Sequence, residues 1–259
     1  MEFFYPELIP NMSTCKSPHE MSGMLIKSYY AEIAKINPKD IVVVSIMPCT
    51  AKKFESTRPE LNTGVDYVLT TRELGRLIKQ KNIDFANLED SDFDPTLGLA
   101  SGAGDIFGAA GGVMEAALRT AYEISTNKKL NEVEFKNLRT NKGIKEGTIK
   151  LGNKTIRYAT ASGGANIRKL LRNKNKYDFL EMMACPGGCI GGGGQPIYSD
   201  DKVLQLRAQA LYQQDEMRRY RRSHENPIVK DIYKKYLGKP LSKKAEKLLH
   251  TEYKKRERF

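Results

Sequence analysis

The sequence predicts an α/β protein: two lobes with mostly parallel sheets flanked by helices around a central cleft, plus a helical C-terminal extension. Three observations carry that expectation. Within about the first 80 residues a strand pattern runs into a helix pattern twice, the order that builds a parallel sheet with helices on its faces. Two glycine-bearing loops, "SGAGDIFGAAGG" and "SGGAN", each open onto a helix. From about residue 203 the chain reads as helices separated by the polar breaks "SHENP" and "GKPLS".

The elements follow in order. "SPHE" (17–20) starts a helix: Ser17 can cap it, Pro18 suits its first position and Glu20 completes a capping box. Met21, Met24, Leu25, Tyr29 and Ile33 then recur at helical spacing until "NPKD" breaks the run. "IVVVSIM" (41–47) is β-branched and apolar on both faces, which predicts a buried parallel strand. A strand near 66–70 feeds a helix whose capping box is Thr70 with Glu73. The acidic, glycine-bearing stretch 88–104 predicts a long loop, and "GGVMEAALRTAYEI" the helix after it. "GTIKLGNKTIRYATA" predicts a hairpin turning at Gly152-Asn153. "YDFLEMMA" (177–184) is a strand that runs into a glycine-rich segment.

Charge and hydropathy exclude several classes. No apolar run approaches the roughly 18 residues of a membrane helix, and "MEFFYPELIPNMSTC" lacks the basic and apolar regions of a signal peptide. A cytoplasmic protein is expected. The net charge is +12, and residues 201–259 hold 17 basic against 8 acidic residues. Such a surface attracts acidic partners or is simply a solvated helical face. With no Trp and no zinc-finger or RNA-binding pattern, nucleic acid is not the expected partner.

The chemistry points to the cysteines. "IVVVSIM" ends at Pro48-Cys49 and "YDFLEMMA" ends at Cys185, with Cys189 four residues on. Both cysteine loops therefore begin at the carboxyl end of a strand, where open α/β sheets gather ligand sites. If the two strands belong to sheets facing one crevice, three thiols converge there. Paired C-x₂-C knuckles, the usual zinc spacing, are absent. An iron–sulfur cluster can gather ligands from distant loops, and glycine lets backbone approach it closely. Structural zinc, and a glycine-rich turn with two buried thiols, stay open as alternatives. "SGAGDIFGAAGG" has neither G-x-G-x-x-G nor the lysine of a phosphate-binding loop.

"MPCTAKKFE" (47–55) and "EMMACPGGCIGGGGQP" (181–196) resemble the second and third signature motifs of the [FeFe]-hydrogenases. "TTREL", "LEDSDFDP", "SGAGDIFGAAGGVMEAALR" and "RAQALYQQDE…SHENP" are similar to the same family, so the resemblance covers essentially the whole chain. It implies an H-cluster domain over 1–200 and a small-subunit-like region over 201–259. The implied cofactor is a [4Fe–4S] cubane joined through a cysteine sulfur to a two-iron subcluster carrying CO, cyanide and a bridging dithiolate, where protons are reduced to H₂ or H₂ is split. The resemblance implies Cys49 and Cys185 as cubane ligands and Cys189 as the bridging cysteine. Lys52 is implied as donor to a cyanide ligand, and an ammonium is a strong donor to an anion in a dry pocket. Met47, Pro48, Met183 and Phe107 are implied to wall the pocket, and Ser13 to serve a proton relay. Ferredoxin or another electron carrier, including NAD(P)H-linked partners, and H-cluster maturation proteins are the implied partners. A non-catalytic relative, serving cluster assembly or H₂ sensing, is the alternative.

The family's first motif, a "TSCCP"-like stretch, should lie before Met1 and is not in this sequence. With it would come a fourth cubane ligand and a proton-delivering cysteine, and further upstream relay glutamates and accessory iron–sulfur domains. The expectation is an incomplete chain, inactive on its own. Cys15, two residues before a predicted helix start, is not placed where the family has a cluster ligand.

Overall fold

The structure is a computed structural model that describes residues 1–94, 97–197 and 199–257. In chain order its helices and strands are α1 Pro18–Leu25, α2 Ala31–Ala34, β1 Val44–Met47, α3 Ala51–Glu55, β2 Tyr67–Thr70, α4 Thr71–Gln80, α5 Gly102–Asp105, α6 Gly112–Thr126, β3 Ile144–Leu151, β4 Lys154–Ser162, α7 Gly164–Arg172, β5 Phe179–Met183, α8 Asp201–Met217, α9 Pro227–Ile232 and α10 Lys243–Leu249. The fold is α/β. Two compact units divide it: residues 1–83 with 231–259, and residues 84–230.

In the first unit β1 and β2 pair in parallel, Val44 opposite Tyr67 through Met47 opposite Thr70. Parallel neighbours need a crossover between them, and α3 lies in that connection. Val43, Val65 and Val68 form the buried core, with Ile26, Ile41 and Met47 packed against it. The helix read from "SPHE" is present; it passes through one π turn, Ile26–Tyr30, into α2 and stops at Lys35, which takes φ 55°. The capping box at α4 forms as read: Thr70 Oγ1 accepts from Glu73 N at 3.2 Å and Glu73 Oε2 accepts from Thr70 N at 2.8 Å.

Two expectations for this unit fail. At α1 no side-chain cap forms on Ser17, because Glu20 turns inward and accepts from Gly64 N at 3.2 Å instead. And β1 is not buried on both faces. Val43 and Ser45 are buried, whereas Val42 (63%), Val44 (50%) and Ile46 (47%) are exposed on the opposite face. Apolar content on both faces of a strand says what could be covered, not what covers it.

In the second unit the sheet order is β3-β4-β5. β3 and β4 form the expected antiparallel hairpin, Ile144 opposite Ala161 through Leu151 opposite Lys154. β4 and β5 are parallel, with α7 in the crossover. This sheet thus combines the expected hairpin with a parallel pair, and two of the three strand pairings among the described residues are parallel, as expected. One core cluster is Met114, Leu118, Leu138 and Tyr158; another is Ala159, Ala161 and Leu170. Between α6 and α8 lies an ion network with a fully buried centre, Arg119 and Asp215. Arg119, 0% exposed, donates to both carboxylate oxygens of Asp215 at 2.8 Å, and Arg139 and Arg221 also reach Asp215, at 2.9 and 2.6 Å. These donors and charges override burial and hold the Asp215 carboxyl well below the usual range. The region 88–104 is largely loop, ending in α5; its residues 95 and 96 lie outside the described residues.

Candidate metal centre

Each unit carries one cysteine loop at the carboxyl end of a strand. In the first unit β1 ends at Met47, and Pro48-Cys49-Thr50 leads directly into α3. Cys49 is half-buried. Met47 packs against the valine core. One turn into α3, Lys52 Nζ donates to Glu55 Oε2 in an i,i+3 ion pair. Glu55 also faces His19, whose Nε2 lies 3.7 Å away, and Ser17. Burial pushes the Glu55 carboxyl up, but His19, Lys52 and Ser17 together outweigh it and bring its pKa down to about 2. A lysine read from sequence as a donor into the site is therefore already held by a carboxylate of its own helix. Ser13 is exposed, and its Oγ accepts from Cys15 N at 3.2 Å. Cys15 sits in a β-bridge opposite His250.

In the second unit β5 ends at Met183, and Ala184-Cys185 opens the glycine turn. Gly187 and Gly188 take φ 74° and 95°, a region that disfavours side chains. The turn is pinned by backbone bonds: Gly188 N donates to Cys185 O at 3.1 Å and Ala110 N to Gly187 O at 2.9 Å. A Cβ on Gly188 would lie 2.6 Å from Ala110 N and 2.9 Å from Met183 Sδ. Read from sequence as room for a cluster, the glycine at 188 here makes room for the chain itself, so that the loop after β5 can lie against residues 108–110. Cys185 is half-buried and Cys189, at the start of a 3-10 turn, is exposed. Met183 packs over the turn. Phe107 packs with Ala103, Ile106, Ala116 and Tyr212 in a core cluster.

A cavity of about 470 Å³ adjoins this turn, lined in part by Ala110, Lys145, Ser162, Gly187 and Ile190. Lys145 is buried, and its Nζ donates to the carbonyls of Ala110 and Leu138, each at 2.6 Å. Burial lowers its pKa to about 8, against the opposing pull of Glu181 and Glu115. Glu181 accepts from Gly111 N at 2.6 Å and Met114 N at 2.7 Å, at the start of α6. Burial raises its carboxyl above the usual range, despite those donors.

All four cysteines are thiols. Among the described residues no three His, Cys, Asp or Glu side chains are grouped to hold a single metal ion. A cubane makes a different demand, since each of its irons takes its own cysteine. The Cys185–Cys189 turn fits such a group on one side, with two thiols on a turn pinned by main-chain bonds and a thioether beside it. Sequence reasoning missed His19, Glu20 and Glu55 as one buried polar group. The i,i+3 spacing of Lys52 and Glu55 on a helix was the available signal; nothing in the spacing of residues 19 and 55 marked them as neighbours.

The fold is α/β, with a cysteine loop after a strand in each unit. The family model "Iron only hydrogenase large subunit, C-terminal domain" matches residues 1–193, and "Iron hydrogenase small subunit" matches residues 201–256. The chain belongs to the iron-only hydrogenase family. It is 48% identical over 266 residues to the NADP-reducing hydrogenase subunit HndD of Solidesulfovibrio fructosivorans, covering 100% of this chain and 46% of that one. It is 33% identical over 260 residues to the cytosolic iron-sulfur assembly component 3 of Mus musculus, covering 95% of this chain and 54% of that one. An apo [FeFe]-hydrogenase structure from Chlamydomonas reinhardtii superposes with a TM-score of 0.83 at 42% identity, covering 98% of this chain and 73% of that one. The chain spans about half the length of the curated relatives it matches. Among the described residues no helix is long and apolar enough to cross a membrane.

Proposed function

We propose that this chain is the H-cluster region of a catalytic [FeFe]-hydrogenase, which interconverts protons and electrons with H₂. When bound, the cluster supplies the redox chemistry: 2H⁺ + 2e⁻ ⇌ H₂. Cys49, Cys185 and Cys189 are its thiolate ligands, Cys189 serving as the bridge to the two-iron subcluster with its CO, cyanide and dithiolate. Lys52 donates a hydrogen bond to a cyanide, and Glu55 fixes the ammonium from behind. Met47, Pro48, Met183 and Phe107 exclude water, as apolar and thioether groups do. Ser13, exposed and able both to donate and to accept, passes protons. Ferredoxin or another carrier supplies electrons in the cytoplasm, upstream iron–sulfur domains or subunits lead them in, and maturation proteins install the cluster.

The observation that carries this reading is Lys52, an ammonium one turn after Cys49 with its own carboxylate partner. A protein that only holds cubanes has no use for a cyanide donor at that place. The likeness to the mouse assembly component keeps a second reading in view, a cubane-only protein. Infrared spectroscopy of the full-length protein, co-produced with maturation proteins, separates them. Bands from CO and cyanide are expected; iron without those bands supports the assembly-type reading, and zinc alone defeats both.

A further inference from the structure

The most heavily buried polar group of the first unit lies beneath the Cys49 helix. His19 is 7% exposed, and Glu20 is 0% exposed. Its ring is gripped from one side, where Nδ1 and Ser45 Oγ of β1 are 3.1 Å apart. From the other side Nε2 faces two carboxylates, Glu20 Oε1 at 3.5 Å and Glu55 Oε2 at 3.7 Å. Both distances exceed hydrogen-bond length. Among the described residues His19 Nε2, Glu20 Oε1 and Ser17 Oγ are buried with no hydrogen-bond partner. Buried polar groups are ordinarily hydrogen-bonded, so this cluster is a place to look for a role beyond packing.

The backbone is built to bring them there. Gly23 of α1 and Gly64 cross so closely that a Cβ on Gly64 would lie 2.2 Å from Gly23 C, and this crossing sets Glu20 against Gly64 N. The two carboxylates then part in acidity. Burial raises Glu20, with Glu55 adding to the rise and His19, Gly64 N and Lys16 opposing it. Glu55 goes the other way, as described above. The two carboxylates thus shift in opposite directions, and His19 lies between them. The remaining charged or titratable neighbours are Lys16, itself buried, which acts on Glu20, Lys52 on Glu55, and Tyr253, whose hydroxyl feels Glu55.

We propose that His19 is a positioning residue for Lys52 and acts through Glu55. Imidazole and ammonium face the same oxygen, Glu55 Oε2, so a protonated His19 and Lys52 share one carboxylate and the place of Lys52 Nζ follows the charge on the imidazole. The coupling needs no cluster. Its consequence for a cyanide ligand rests on the function proposed above.

The test uses the chain of residues 1–259 with ¹⁵N-labelled histidine, its three imidazoles followed by NMR through a pH titration. Glu55→Gln removes a negative charge beside His19 and is expected to lower the midpoint read in the titration. Lys52→Met leaves Glu55 uncompensated and raises it. In the double variant the Lys52 effect disappears, because its route through Glu55 is gone. Opposite signs show that both charges act on one imidazole; the positioning role is read from His19→Gln, which is expected to shift the Lys52 ammonium signal in a ¹⁵N-lysine-labelled chain, and a Lys52 signal left unmoved overturns it. His224 and His250, unshifted, report that the fold is kept. If Glu55→Gln disturbs them, Lys52→Met decides alone: a His19 midpoint that it leaves unmoved overturns the proposal. So does a Lys52 effect that persists in the double variant. The coupling present in a protein whose full-length form shows no cyanide bands would instead sink the proposed function and leave the positioning role standing.

Discussion

The two units use charge in opposite ways. In the second unit the ions are buried scaffold: Arg119 and Asp215 tie α6 to α8, while the cysteine turn beside Met183 is held by main-chain bonds and left-handed glycines. In the first unit the core is a small valine cluster, and the charges gather around the cysteine helix itself, on Lys52, Glu55, His19 and Glu20. One cysteine loop is therefore specified by backbone conformation and the other by side-chain electrostatics. Substitutions should separate the two, with stability moving in one case and site chemistry in the other.

The largest effect is expected from Asp215→Ala. It strips the buried Arg119 guanidinium of one of its two carboxylates, Glu115 remaining, and takes the same partner from Arg139 and Arg221, a loss of about 3–5 kcal/mol, read as a lower midpoint in a denaturant titration. Next is Gly188→Ala, which places a Cβ at φ 95° and 2.6 Å from Ala110 N. A destabilisation of about 1–3 kcal/mol is expected, with the turn displaced; a variant as stable as the wild type would show that the main chain does not set this loop.

Smaller still is Glu55→Gln, whose partner Lys52 is about a quarter exposed, 23%. Its stability effect should stay within about 1 kcal/mol, and it carries a pH signature. A carboxyl lowered to about 2 in the fold contributes stability above its unfolded value near 4.3, and loses it as pH falls toward 2. Wild type and variant should thus differ near neutral pH and converge in acid. A difference that grows on acidification would reverse the sign assigned to Glu55. Thr70→Ala, a loss of the α4 cap far from either cysteine in sequence, should cost about 1 kcal/mol and leave the His19 signals unchanged.

What could be read in the sequence was what local physics decides. The Thr70–Glu73 box, the hairpin at Gly152-Asn153 and the helix after "GGV" depend on neighbours a few residues apart, and all three are present. The same logic failed at Ser17 and Glu20, where Gly64, 44 residues on, outcompetes the local cap for the Glu20 carboxylate. It failed again at β1, because periodicity cannot show which element covers a face. At the candidate site the motif residues Cys49, Lys52, Cys185 and Cys189 were legible as types in a pattern. The meeting of His19 with Glu55 was not, since it depends on α1, β1 and α3 packing together.

The most direct test concerns the proposed cluster. In the full-length protein matured with its accessory factors, Cys49→Ala, Cys185→Ala and Cys189→Ala are each expected to remove one cubane's share of the [4Fe–4S] signal in Mössbauer spectra, leaving the share of the upstream iron–sulfur domains, while Cys15→Ala keeps the whole signal. A Cys49→Ala protein with an undiminished cubane signal would mean that the first unit contributes no ligand, and would contradict the proposed centre.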